Sequence, residues 1–183
     1  MSHKQHLGLE MRPPHEILKR FYSLSAAKNV VLLRSGDQCD KLYYLLSGCV
    51  RTYFIDEQGV EKTSSVTLPN NFVTAWSSFV AQSVSLEFIE ALENSELLVI
   101  DYQELHRLKE SDNQWREFYL KLLEAAVLTQ SRKIEALMTL NAQQRYSKLL
   151  NGNPKLIQNV SNRVLASFLD MREETLSRLK SRK

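Results

Sequence analysis

The sequence predicts an α+β fold: a block of short antiparallel strands followed by an all-helical C-terminal third. Three observations lead there. Residues 30–100 hold six short runs rich in β-branched and aromatic residues, separated by turn residues, which is the spacing of a sandwich or barrel. Beyond Asp101 the apolar period changes to that of helices. Charge then divides the chain. Residues 1–138 carry 15 basic and 18 acidic side chains, while residues 139–183 carry 9 basic and 3 acidic, net +6.

Residues 1–12 show no period and are expected to fray. Pro13 and Pro14 open a short helical stretch with Ile17, Leu18, Phe21 and Tyr22 on one side. The first strand, 30–33, runs into the turn residues Arg34, Ser35, Gly36 and Asp37. The second, 42–46, stops at Ser47 and Gly48, and the third, 50–55, at Asp56 to Gly59. The fourth, 61–68, is broken by Pro69, Asn70 and Asn71. Strands 87–92 and 96–100 flank Glu93, Asn94 and Ser95. Residues 73–85, rich in small side chains, leave room for a short helix or loop. Glu87, Glu90 and Glu93 read as a charged strand face rather than a carboxylate dyad.

Asp101 is expected to cap a short helix through residue 109, and Asp112 a long one, because no Gly or Pro follows until Gly152. Two apolar stripes run along the long helix. Leu120, Leu123, Val127, Ile134 and Leu137 form a heptad seam that only Gln130 interrupts; Trp115, Phe118, Leu122 and Ala126 form the other. Two stripes need two partners, here the strand block and a second copy of the chain. Residues 139–141 are a candidate hinge, and Asn141 a cap for a helix over 142–150 that stops at Asn151, Gly152, Asn153 and Pro154.

Residues 157–183 hold the pattern that points to function. Ser161 caps a helix to about residue 169, a turn falls at 170–172, and a second helix begins near Glu173. Leu165, Leu169, Met171, Leu176 and Leu179 are apolar, and Ala166 is small where the helices would cross. That combination is a helix-turn-helix. Its second helix exposes Glu173, Glu174, Thr175, Ser177, Arg178 and Lys180. Arg reads guanine and Glu accepts from cytosine, while Lys180, Arg182 and Lys183 supply phosphate contacts. Double-stranded DNA is the partner this implies. Asp170 stands where a Gly is usual, and Asp tolerates the left-handed backbone better than most residues.

Other chemistry finds little footing. Hydrophobic residues make up 43% and charged residues 25%, an ordinary globular balance. The longest unbroken apolar run, residues 42–46, is far short of the roughly 20 residues of a membrane span, and no secretory signal opens the chain. The expected location is cytoplasmic. Cys39 and Cys49 are too few for a disulfide framework or an iron–sulfur cluster and read as small apolar residues. His3 and His6 lie in the fraying stretch, and His15 and His106 are isolated, so no metal site is expected. No nucleophile elbow, Gly-rich phosphate loop or Cys-x-x-Cys is present; neither an enzyme nor a cofactor is expected.

Residues 166–178, together with 33–37, 42–51, 89–100 and 144–150 in that order, make the chain resemble the Crp/Fnr family of bacterial transcription regulators, most of all its short Bacteroidetes-type members. The resemblance implies a cyclic-nucleotide-binding-type β-roll (a double-stranded β-helix) over 1–110, a dimerisation helix over 111–138, and a helix-turn-helix DNA-binding domain over 139–183 that lacks most of its wing. It implies a homodimer joined through the long helix, and it admits RNA polymerase as a further partner. Carried over by position, Glu174, Ser177 and Arg178 are base-reading residues and Thr175 a phosphate contact.

Cyclic-AMP binders of that family carry a Gly-Glu pair for the ribose and an Arg-Ser pair for the phosphate. Those positions fall here on Thr74 and Ala75, and on Ser85 and Leu86. No Arg or Lys lies between Lys62 and Arg107. A buried phosphate would be left unpaired, so no cyclic-AMP binding is expected. Thr74, Ala75, Trp76, Ser85 and Leu86 remain a degenerate ligand cassette for an unknown effector, while Trp76, Phe79 and Phe88 read first as core. A second reading keeps the strand block as a small-ligand or protein-binding module whose DNA-binding end is non-functional.

Overall fold

The structure, a computed structural model, describes residues 13–181. The expectations placed on residues 1–12, the His3 and His6 pair among them, and on Arg182 and Lys183 lie outside these residues. After Pro13 and Pro14 a single helical turn, α1 (His15–Leu18), buries Ile17. The chain then leaves the helix earlier than the sequence pattern predicts. Phe21 and Tyr22 are not on a helical face: Tyr22 begins a strand, β1 (Tyr22–Ala26), that pairs antiparallel with residues 95–99. A five-residue run alternating apolar and polar residues is weak evidence alone, and its partner lies some seventy residues away.

Seven more strands follow: β2 (Val31–Leu33), β3 (Lys41–Ser47), β4 (Val50–Ile55), β5 (Glu61–Thr67), β6 (Asn71–Val73), β7 (Phe88–Ala91) and β8 (Ser95–Asp101). The six expected runs are all strands, with ends shifted by a residue or so. β6 is an addition. The Pro69–Asn71 break is a real turn, with Asn70 at φ +66°, but Phe72 and Val73 then pair with Tyr44 and Tyr43. A short helix, α2 (Trp76–Ala81), fills the segment before β7. The strands form two antiparallel four-stranded sheets, ordered β1-β8-β3-β6 and β2-β7-β4-β5, which do not close on each other. Leu42, Leu45, Leu97 and Val99 of the first sheet and Val50, Ile89 and Ala91 of the second share one core.

Gly48 turns β3 into β4 at φ +90°, a backbone that only glycine adopts freely. A Cβ there would also lie 2.6 Å from the Asn94 carbonyl and collide with Ser95 Oγ.

α3 (Tyr102–Ser111) follows β8 without a side-chain cap. The Asp101 carboxylate, expected to close that helix, instead accepts a hydrogen bond from Tyr22 Oη at 3.2 Å, because β1 brings the phenol to it. Asp112 does cap the long helix α4 (Asn113–Thr139), accepting from the Gln114 N–H at 2.7 Å. At 27 residues α4 is about 40 Å long. Trp115, Phe118 and Leu122 are buried against the strand block, with Trp115 stacked on Phe21 and Phe118 edge-on to Phe72. Leu120, Val127, Ile134 and Leu137 stand exposed on the other side.

Leu140 is extended and breaks the helix. Asn141 and Gln144 then form a reciprocal capping box at the start of α5 (Ala142–Gly152). The stop at Asn153 is also a start: its side chain caps α6 (Pro154–Asn159), a helix the sequence reading passed over. α7 (Asn162–Phe168) and α8 (Glu173–Ser181) complete the described residues. Tyr146, Leu149, Leu156, Val164, Leu165 and Leu176 build a second core.

Replacing Gly48 by Ala is expected to cost about 2 kcal/mol or more, from left-handed strain and the clash with the Asn94 backbone. Denaturant unfolding measures it, and an unchanged midpoint would contradict this account of the turn.

Candidate nucleic-acid interface and sensor cavity

The helix-turn-helix is held by its caps, its turn and one arginine. Ser161 Oγ accepts from the Val164 N–H at 3.4 Å. Asp170 adopts φ +50°, the left-handed conformation its position requires, and the Met171 N–H then returns to the Ala166 carbonyl at 3.0 Å. Arg145, on α5, clamps this turn. Its guanidinium donates to the carbonyls of Leu169 (2.8 Å), Asp170 (2.9 Å) and Leu140 (2.6 Å), tying the turn to the end of α4. Nothing in the local sequence marks Arg145 for this, because its three acceptors lie on either side of it in the chain.

Leu176 is fully buried and Ala166 nearly so, which seals α8 against α7. Glu173, Glu174, Ser177 and Arg178 are exposed, and Thr175 is half-buried. The three carried-over base-reading residues, Glu174, Ser177 and Arg178, therefore share an open face. Glu173 and Glu174 also sit in the first turn of α8, where negative charge offsets the helix dipole. The Lys180 ammonium donates to Asn162 Oδ1 at 2.6 Å, bracing α8 on the start of α7. Arg182 lies outside the described residues.

The ligand cassette separates into parts. Thr74 and Trp76 line a cavity of about 630 Å³ between β4–β6, α4 and the C-terminal helices. Thr74 Oγ1 donates to the Lys41 carbonyl at 2.8 Å. Ala75 is packed into the core. Ser85 is buried with its hydroxyl on the Glu87 backbone, and Leu86 is 73% exposed. The structure thus brings only Thr74 and Trp76 of the five to the cavity. Phe79 is core, as expected, and Phe88 stacks on Tyr53.

What the cassette lacks, α4 partly supplies. Lys133 enters the cavity wall and donates to the carbonyls of Thr63 (2.9 Å) and Ser64, with its ammonium 4.5 Å from the Phe168 ring. Burial pulls its pKa down to about 8, against the pull of Asp170 and Glu87. It lies outside the cation-free stretch between residues 62 and 107 because it comes from α4. Glu87 faces the same cavity. Burial raises its pKa, opposed by the hydrogen bond from Ser64 (2.8 Å) and by Lys133. Thr52 also lines the cavity, and its buried hydroxyl has no partner among the described residues.

Glu87, Glu90 and Glu93 are not one charged face. A spacing of three puts Glu87 and Glu90 on opposite sides of a strand. Glu90 instead pairs with buried Arg51 (2.6 Å), which also holds Glu61 at 2.8 Å and stacks over Tyr53. Cys39 and Cys49 are buried free thiols; burial, with Glu93 nearby, pushes Cys49 up to about 12. No helix among the described residues is long and apolar enough to cross a membrane.

Residues 23–112 match the family model of the cyclic nucleotide-binding domain. The chain is 27% identical over 150 residues to the anaerobic regulatory protein of Haemophilus influenzae, covering 82% of this chain and 55% of that protein. It thus spans about half the length of that relative. Among solved structures it resembles FixK2 from Bradyrhizobium japonicum, with a TM-score of 0.75 at 15% identity over 88% of this chain and 83% of that one. It also resembles CLP, the c-di-GMP-responsive global regulator of Xanthomonas campestris, with a TM-score of 0.70 at 21% identity over 91% and 87%. At these identities the two structures speak to the fold.

The Lys133 environment has a measurable consequence. Its pKa is lower folded than unfolded, so the unfolded chain holds the extra proton between about pH 8 and the ordinary value of 10.5, and stability gains with pH across that window. Relative to Lys133→Met, the wild type is expected to gain stability from pH 8 to pH 10. A pH-independent difference between their unfolding free energies would show that burial does not perturb this amine.

Proposed function

We propose that this chain is a homodimeric, sequence-specific DNA-binding transcription regulator of the Crp/Fnr family. The observation that supports this best is α8: one face is sealed by Leu176, and the other presents Glu174, Ser177 and Arg178 on the basic end of the chain. A bidentate Arg and an accepting Glu on one exposed helical face suit the edges of a G·C pair. Thr175 and Lys180 lie beside them for the backbone, with Arg182 next in sequence.

On this reading residues 1–110 are the sensor, 111–138 the dimerisation helix and 139–183 the reading domain. The exposed seam of Leu120, Val127, Ile134 and Leu137 pairs with its copy. Twofold symmetry then sets the two α8 helices about 34 Å apart, in successive major grooves. Such a regulator works in the cytoplasm, and RNA polymerase is its natural further partner. The cavity beside α4 is the place for an effector. Cyclic AMP does not suit it, since Ser85 stands where the phosphate's arginine would and its hydroxyl is already engaged, while Leu86, at the serine position, projects to solvent. The hydroxyl of Thr52 and the Lys133 and Glu87 pair favour a ligand that both donates and accepts hydrogen bonds.

Selection of bound sites from random duplexes tests the reading directly. Against the selected site, Arg178→Ala is expected to lose about 1–3 kcal/mol and to relax preference at one base pair. Equal binding by the variant would remove Arg178 from the interface. Ile134→Glu should shift the protein to a monomer in sedimentation and weaken DNA binding with it; a variant that stays dimeric would place the seam elsewhere.

A further inference from the structure

β5 is the edge strand of its sheet, so one side of its backbone has no neighbouring strand. Two helices close that side. The Thr63 N–H donates to Ser167 Oγ at 2.8 Å, and the same hydroxyl donates to the Glu61 carbonyl at 2.8 Å. The next carbonyls, Thr63 and Ser64, are taken by Lys133 of α4. Ser167 belongs to α7, the first helix of the helix-turn-helix. Behind it, Cys49, Val66, Leu68 and Leu92 of the strand block pack into the core of the C-terminal helices.

One ion pair crosses the same junction. The Glu61 carboxylate, fixed from below by buried Arg51 at 2.8 Å, is reached by Arg163 at 3.4 Å. Arg163 lies in the first turn of α7 and is 69% exposed. In a helix-turn-helix the first helix crosses the DNA backbone, so a cation there has a phosphate within its field. An exposed pair contributes little by itself. The paired bonds of Ser167 and the apolar contact behind it give the junction its hold.

We propose that this junction is a latch: Glu61 occupies Arg163 as a DNA phosphate would, and Ser167 fastens α7 to the β5 edge, so that DNA must displace the sensor from its own reading domain. The inference rests on the DNA-binding reading above and adds to it how that binding is restrained. Release frees Arg163 for a phosphate and raises apparent affinity by removing the latched form from the competition. If the latched form holds about 75–90% of the population, abolishing it raises apparent affinity roughly fourfold to tenfold.

The test uses the full chain and a mixed-sequence duplex of about 30 base pairs, long enough for two half-sites one turn apart. Glu61→Gln and Ser167→Ala are each expected to bind roughly fourfold to tenfold more tightly than wild type. Glu57→Gln, an exposed carboxylate on the neighbouring turn, controls for net charge and is expected to match wild type. Hydrogen exchange at the Thr63 amide, slow in the free protein, should quicken on adding the duplex. Should Glu61→Gln unfold through loss of its bond to Arg51, Ser167→Ala decides alone. Binding by Ser167→Ala no tighter than wild type, or equal tightening by Glu57→Gln, overturns the latch and leaves the DNA reading intact. No binding by any of the proteins overturns that reading, and the latch with it.

Discussion

A helix with apolar side chains on two faces cannot be satisfied by one neighbour. α4 is such a helix, and most of the molecule is arranged around it. Trp115, Phe118 and Leu122 fasten its first half to the strand block through aromatic contacts with Phe21 and Phe72. Its second half runs past the edge of the sheets, supplies the cavity wall and ends at Leu140, where Arg145 gathers the reading motif. Leu120, Val127 and Ile134 are left in water on the opposite face. An exposed apolar stripe, a cavity wall and an anchor for the C-terminal helices thus all depend on the length of one element.

The second organising feature is how buried charge is handled. Arg51 lies inside the β2-β7-β4-β5 sheet and is compensated on two sides, by Glu90 and by Glu61, with Tyr53 under its guanidinium. Removing any one partner would leave a charge that burial penalises heavily. Because Glu61 belongs to this cluster and also meets Arg163 of α7, one residue links the sheet interior to the C-terminal helices. Lys133 plays a parallel part from α4: its charge is tolerated because two β5 carbonyls and the Phe168 ring face it. Cavity, sheet edge and α7 therefore meet within a few residues of Thr63. A ligand drawing on Lys133 or Glu87 would be felt at that edge.

Short-range chemistry was legible in the chain. Asp112, Asn141 and Ser161 cap the helices they precede, and Asp170 takes the left-handed turn its place in the motif demands. Each cap depends on a side chain meeting backbone three residues away or less, and the Asp170 turn on that residue's own φ. The failures share the opposite property. β1 and β6 are strands because of partners at residues 95–99 and 43–45, and Asp101 abandoned its cap for a phenol on β1. Glu90 left an apparent acidic face for Arg51, thirty-nine residues away.

The candidate site divides along the same line. Composition, period and capping determined by themselves that a strand block precedes a long two-faced helix and a basic helix-turn-helix, since those signals are local and repeat along the chain. Only the tertiary structure decided that Thr74 and Trp76 reach a cavity while Ser85 and Leu86 do not. It alone supplied Lys133 as a cation in that cavity's wall, Arg145 as the clamp of the turn and Ser167 as the cover of the β5 edge. Those contacts join residues up to 106 positions apart. A linear pattern records which face a residue occupies, but not which distant backbone that face will meet once the sheets and helices pack.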